Sequence, residues 1–312
     1  MFLFHTLSQY VSRQSFLTVI LLVLFPFASL AASWETLKTP HFYIHHDASD
    51  TRTARMISDK AEHIYSSIAA DVGYAPTSKI NVYLCPTLQC FHHKQPSQHK
   101  APEWAVGLAY PALSRIVMRS AFSPQEGRHR IKPIEIFQHE LAHIVLEQAL
   151  AERGGAPRWL SEGFSMYHAR QWTIHGQRTI EEVVLRKTFI PLSLLISSFP
   201  VDEQAARIAY AQSFSLVSFM LQEYGQTIFH KFIAHLREGM ETNRALLSSA
   251  GITVKRLELE WHASLTKRYS WFSYLSNIGA LWFVLSLVFI LAYFVKRHKV
   301  RRLHQQWEEE EL

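Results

Sequence analysis

Residues 139 to 143 read His139-Glu140-Leu141-Ala142-His143, and Glu162 follows within Trp159-Leu160-Ser161-Glu162-Gly163-Phe164. No other feature constrains the fold of this chain as strongly. Residues four apart on a helix project from one face a single turn apart, so both imidazoles reach one point. Ile134, Phe137, Leu141, Ile144, Val145 and Leu146 have amphipathic helical spacing, with Pro133 near the start and Gly154-Gly155 past the end. A second short apolar helix opens at Pro157 and carries Glu162. If the two helices pack together, His139, His143 and Glu162 supply three metal ligands and leave a fourth position open. Glu140 then lies beside the site without being a ligand. The bare five-residue pattern also fits a buried helix whose histidines are satisfied by hydrogen bonds, and the flanks favour the metal reading.

These segments resemble the gluzincins, zinc peptidases whose third ligand is a glutamate on the next helix. The eighteen residues between His143 and Glu162, and the Trp-Leu-Ser-Glu-Gly-Phe context, are similar to the aminopeptidase branch, which shows Trp-Leu-Asn-Glu-Gly-Phe. Ala209-Tyr210-Ala211-Gln212-Ser213, expected to begin a helix ending at Glu223-Tyr224-Gly225, resembles that family's tyrosine helix. The stretch 34–265 resembles the compact bacterial peptidase MA-like domain. The resemblance implies one Zn2+ ion held by His139, His143 and Glu162, with Glu140 as general base and Tyr210 as oxyanion donor. Tyr167 and Tyr224 are weaker candidates for the last role. The implied reaction is hydrolysis of a peptide or protein substrate by a zinc-bound water. The aminopeptidases carry an upstream Gly-Ala-Met-Glu-Asn segment whose glutamate grips the substrate amine. The comparable Gly107-Leu108-Ala109-Tyr110-Pro111 has no acid. Endopeptidase action is therefore expected over aminopeptidase action, with an edge strand within 107–119 accepting extended substrate. A catalytically idle gluzincin-like binding or scaffold module, and a zinc hydrolase of a non-protein envelope substrate, are compatible with the same ligand spacing.

The two ends read as membrane signals. Arg13, an apolar run over 16–30 and Ser29-Leu30-Ala31 have the form of a secretory signal peptide over 1–31; an uncleaved anchor is the alternative. Residues 278–295 carry no formal charge and are followed by Lys296, Arg297, Lys299, Arg301 and Arg302. This predicts a transmembrane helix over 275–295 with a cytoplasmic tail at 296–312, and an extracytoplasmic catalytic domain. The run Glu308 to Glu311 is expected to be a solvated, disordered tail. Part of the net charge of +6 thus belongs to the anchor. No clustered basic helix or motif points to nucleic acid.

Between the ends, 41–46, 79–84 and 115–119 alternate as strands and 54–70 has helical spacing. The chain turns helical after Pro133. The expected fold is α+β and zincin-like: a small mixed-sheet lobe over 33–128, then a helical lobe over 129–270 with the metal at their junction. His41, His45 and His46 are read as non-ligands, as is His168, which lies six residues past Glu162 and so on the opposite side of its helix. The only cysteines, Cys85 and Cys90, suit a small disulfide loop; the competing readings are a second metal site with His92, His93 and His99, and two free thiols.

Overall fold

The structure is a computed structural model that describes residues 34–96, 101, 105–120, 132–150, 155–269 and 278–310. Five strands form one mixed sheet: β1 (Glu35–Lys38), β2 (Phe42–His46), β3 (Ile80–Cys85), β4 (Gly107–Tyr110) and β5 (Arg115–Arg119). Their spatial order is β1-β2-β3-β5-β4. The central pairs β2–β3 and β3–β5 are parallel, and the outer pairs β1–β2 and β4–β5 are antiparallel. Parallel neighbours need a long crossover, and α1 (Thr51–Val72) supplies it between β2 and β3. Ala54, Ile57, Ala61, Ile64 and Ile68 recur at helical spacing along its buried side. The helix stops at Gly73, whose φ of 66° only glycine adopts without strain.

The inner sheet face follows from strict alternation. Phe42 and Ile44 on β2, Ile80 and Val82 on β3, and Ile116 and Met118 on β5 are wholly buried. Each such side chain contributes about 1.5–3 kcal/mol, against at most about 1 kcal/mol for an exposed ion pair such as Lys132–Glu135. Burial therefore fixes the register of the sheet. A smaller cluster on the other face comprises Cys85, Phe91, Ala105 and Val117, with Phe91 on α2 (Leu88–His93). Cys85 and Cys90 are joined there in a disulfide with Cα atoms 5.4 Å apart. Both sulfurs are thereby withdrawn from any second metal site with His92 and His93.

Helix α3 (Pro133–Leu150) is buried on several sides, through Phe137, Leu141, Ile144 and Val145 among others. It packs on α1, on β4 and β5, and on α4 (Arg158–His168). In α4 every residue from Trp159 to Ser165 is buried. The helical lobe continues with α5 (Ile174–Arg186), α6 (Glu203–Glu223), α7 (Gly225–Arg237), α8 (Thr242–Ala250) and α9 (Val254–Tyr269). One continuous hydrophobic cluster runs from Phe42 of the sheet to Leu265 of α9. The α+β, zincin-like expectation agrees with this architecture. Helix α6 differs from the sequence expectation, beginning at Glu203 rather than near Ala209. Asp202 caps it, its carboxylate accepting the Ala205 N–H at 2.8 Å.

The predicted signal segment lies outside the described residues. At the other end, α10 (Ile278–Glu310) is continuous past the basic cluster, so most of the expected solvated tail is helical instead. Nothing after Val295 breaks a helix, since 296–310 contains neither glycine nor proline. The window Leu281–Arg302 is long and apolar enough to cross a membrane, and none of it is buried.

Candidate metal centre

The two histidines leave α3 one turn apart, and Glu162 leaves α4 toward them. The Nε2 atoms of His139 and His143 are 3.1 Å apart. Glu162 Oε2 lies 3.6 Å from the first and 3.5 Å from the second. Ligands at zinc distances and tetrahedral angles are separated by about 3.3 Å, so this triangle fits one ion. The donor set, two imidazoles and a carboxylate, suits the same ion. Among the described residues these three are the group whose ligand atoms converge in this way.

Neighbouring groups orient these three side chains. Ser161 Oγ lies 2.9 Å from His143 Nδ1, so an Nδ1–H donated to it leaves the Nε2 lone pair facing the site. Arg158, one turn before Glu162, places Nη2 2.6 Å from Glu162 Oε1. The carboxylate therefore turns one oxygen to the arginine and the other to the histidines. Burial opposes the charge on Glu162, yet His143, His139 and Arg158 hold its pKa well below the usual range. For His143, burial is likewise outweighed by Glu162 and Glu140, which push its pKa up. The pocket is thus built to hold positive charge.

Glu140 lies deep, and burial pushes its pKa up against the charges of His139 and His143. The Ala109 backbone N–H, on the strand beside it, acts in the opposite direction and lowers it in part. Gly107 brings the strand that close. A Cβ at this position would lie 2.5 Å from Ile136 Cγ2 and 2.6 Å from Glu140 Oε1, so a side chain here displaces the Glu140 carboxylate. Strand β4 ends the sheet and lines a cleft of about 1080 Å3 together with His139, Glu140, His143, Glu162 and Tyr210.

Tyr210 reaches this cleft from α6, packed edge-on against Phe199 with ring centroids 5.0 Å apart. Burial and the Glu162 charge raise its pKa, while Arg158 opposes them by its charge and a hydrogen bond. The other tyrosines are placed elsewhere. Tyr224 donates to Glu260 Oε2 at 2.5 Å, and Tyr167 lines a separate cavity with His168. His168 Nε2 lies 3.3 Å from Asp71 Oδ2, away from the centre. His41 pairs with Glu62, His45 contacts Thr36 and Asn81, and His46 turns Nδ1 to the Asp47 carbonyl. Ser161, Arg158 and Gly107 were not singled out from the sequence. The i−4 spacing of Arg158 from Glu162 was visible there, but nothing local placed Gly107 against Glu140.

A family model described as Peptidase MA superfamily matches residues 60–267. No curated protein matches the chain. Among solved structures, similarity extends to an M1 zinc metallopeptidase from Deinococcus radiodurans (18% identity, TM-score 0.39, covering 75% of this chain and 50% of that one). It extends also to native yeast LTA4 hydrolase (14%, 0.43, 75% and 38%). A third is an aminopeptidase N family protein from Idiomarina loihiensis (10%, 0.44, 73% and 46%). The chain spans half or less of the length of each of these. The match over 60–267 takes in both helices that bring His139, His143 and Glu162 together, and the chain belongs to the Peptidase MA superfamily.

Proposed function

We propose that this protein is a membrane-anchored, extracytoplasmic zinc metallopeptidase that cleaves within peptide chains. The convergence of His139, His143 and Glu162 beside Glu140, along an edge strand, carries the reading. A bound zinc ion would polarise the scissile carbonyl and acidify the attacking water. Glu140 takes the proton of that water and delivers it to the leaving amine. Its raised pKa suits the second half of this task, and the Ala109 N–H fixes its orientation. Tyr210 donates its O–H to the oxyanion as charge develops. The outer edge of β4 offers backbone groups to an extended substrate. Residues 105–112 bring no carboxylate to grip a free amine, which favours endopeptidase over aminopeptidase action.

Metal titration tests the ligand assignment. Glu162→Ala is expected to weaken zinc binding at least about a hundredfold, and His168→Ala to leave it unchanged. The reverse order would reject the assignment. Tyr210→Phe is expected to lower kcat and kcat/KM together by about a hundredfold, with KM, zinc content and melting temperature nearly constant. Tyr224→Phe serves as the control, and a normal kcat in Tyr210→Phe would remove this residue from the mechanism.

In this reading residues 275–295 cross the membrane, 1–31 form the signal segment and 296–312 lie in the cytoplasm. The unburied apolar window and the adjacent basic cluster support this orientation. A reporter fused after Leu312 is expected to be cytoplasmic and one fused at Ser270 extracytoplasmic; a cytoplasmic signal from the second would overturn it.

A further inference from the structure

Arg158 lines the cleft, and among the described lining residues it is the one lysine or arginine. It opens α4, and its backbone N–H donates to the Ile196 carbonyl at 2.8 Å, so the base of the side chain is fixed. One helical turn carries its guanidinium to Glu162, where Nη2 meets Oε1 at 2.6 Å. The same guanidinium lies 5.8 Å from the centre of the Phe199 ring. Phe199 in turn packs edge-on against Tyr210, at 5.0 Å and 79°. The side chain is still 47% exposed, so its location reflects specific partners rather than general burial.

We infer that Arg158 is a positioning residue that couples the third metal ligand to the oxyanion donor, holding Glu162 to one coordinating oxygen and Tyr210 in its cleft-facing pose. This rests on the metallopeptidase reading above. A planar guanidinium presents donors along its edges and lies flat on an aromatic ring, so it serves a carboxylate and a neighbouring ring at once. With Oε1 engaged by Arg158, Glu162 offers only Oε2, and the fourth position of a tetrahedral site stays free for water. The guanidinium also lies against the Phe199 ring, and Phe199 packs edge-on against Tyr210, so the arginine reaches the tyrosine through that ring. A lysine in this place reaches Glu162 with a point charge and lacks the flat face that lies against Phe199.

The test uses the purified protein with Arg158→Ala, Arg158→Lys, Tyr210→Phe and the Arg158→Ala/Tyr210→Phe pair. Zinc affinity, the visible spectrum of the cobalt-substituted protein and steady-state peptide cleavage are measured. Removing the arginine frees Oε1 and takes away a cation near the metal. Arg158→Ala is therefore expected to hold zinc at least as tightly as the wild type, while its cobalt bands weaken as coordination expands. Its kcat is expected to fall about ten- to a hundredfold at nearly constant KM. Arg158→Lys should restore the cobalt spectrum but only part of kcat. In the Tyr210→Phe background, Arg158→Ala should cost clearly less than it does alone. An unchanged cobalt spectrum in Arg158→Ala overturns the ligand half of the proposal, and losses that simply multiply in the pair overturn the tyrosine half. Loss of zinc with a lowered melting temperature assigns Arg158 an ordinary structural role and overturns both. A zinc-loaded wild type that cleaves no peptide rejects the metallopeptidase reading instead, and the cobalt spectrum then decides the ligand half alone.

Discussion

Glu140→Gln is expected to retain the fold and a full complement of zinc while lowering kcat at least about a thousandfold. General acid–base groups contribute roughly 10²–10⁴ in rate. The change removes the proton acceptor and nothing else of size, because glutamine preserves the side-chain shape and still accepts the Ala109 N–H through its carbonyl oxygen. Glu140 is not among the three converging ligands, so the metal has no direct stake in its charge. Metal analysis of the purified variant, together with cleavage of a peptide library by variant and wild type, decides the matter. Turnover within a few-fold of wild type would refute the peptidase mechanism. Zinc loss would instead show that the carboxylate holds the metal.

The second large effect is structural. At Gly163, the residue after Glu162, α4 crosses α6 with no room for a side chain. A Cβ here would stand 2.3 Å from the Ser213 carbonyl oxygen and 2.7 Å from Val217 Cγ2. The first of these atoms is backbone within a helix, so it cannot step aside without moving α6 as a whole. Gly163→Val must therefore separate the two helices, at a cost of about 3–5 kcal/mol, above the usual overpacking range because the clash is with main chain. For a domain of this size that lowers the melting temperature by roughly 10–15 °C. The strain also reaches the metal centre, because Glu162 precedes Gly163 on α4 and Tyr210 sits one turn before Ser213 on α6. Thermal unfolding with and without zinc measures both effects. A variant with the wild-type melting temperature and zinc affinity would show that the helices do not cross as closely as described.

What the sequence by itself determined is the part governed by local periodicity. Helical spacing put His139 and His143 on one face, and the short gap to a second apolar helix put Glu162 within reach of them. Strand alternation marked β2, β3 and β5, and the charge-free run after Ser276 marked the long terminal helix. A proline and a pair of glycines bounded α3. Even here local cues missed the start of α6, because Asp202 caps that helix well ahead of the tyrosine motif.

Only the tertiary structure decided which distant residues face the centre. Strand β4 pairs antiparallel with β5 at the end of the sheet, and that pairing brings Gly107 and the Ala109 N–H against Glu140. Resemblance alone ranked Tyr210 ahead of Tyr167 and Tyr224, and helix crossing is what sends Tyr210 into the cleft, Tyr224 to Glu260 and Tyr167 to another cavity. His168 is claimed by Asp71 from α1, nearly a hundred positions away along the chain. Periodicity tells a residue which way to point from its own helix or strand. What it then meets depends on sheet order and on the few places, such as Gly107 and Gly163, where the absence of a side chain lets two elements touch.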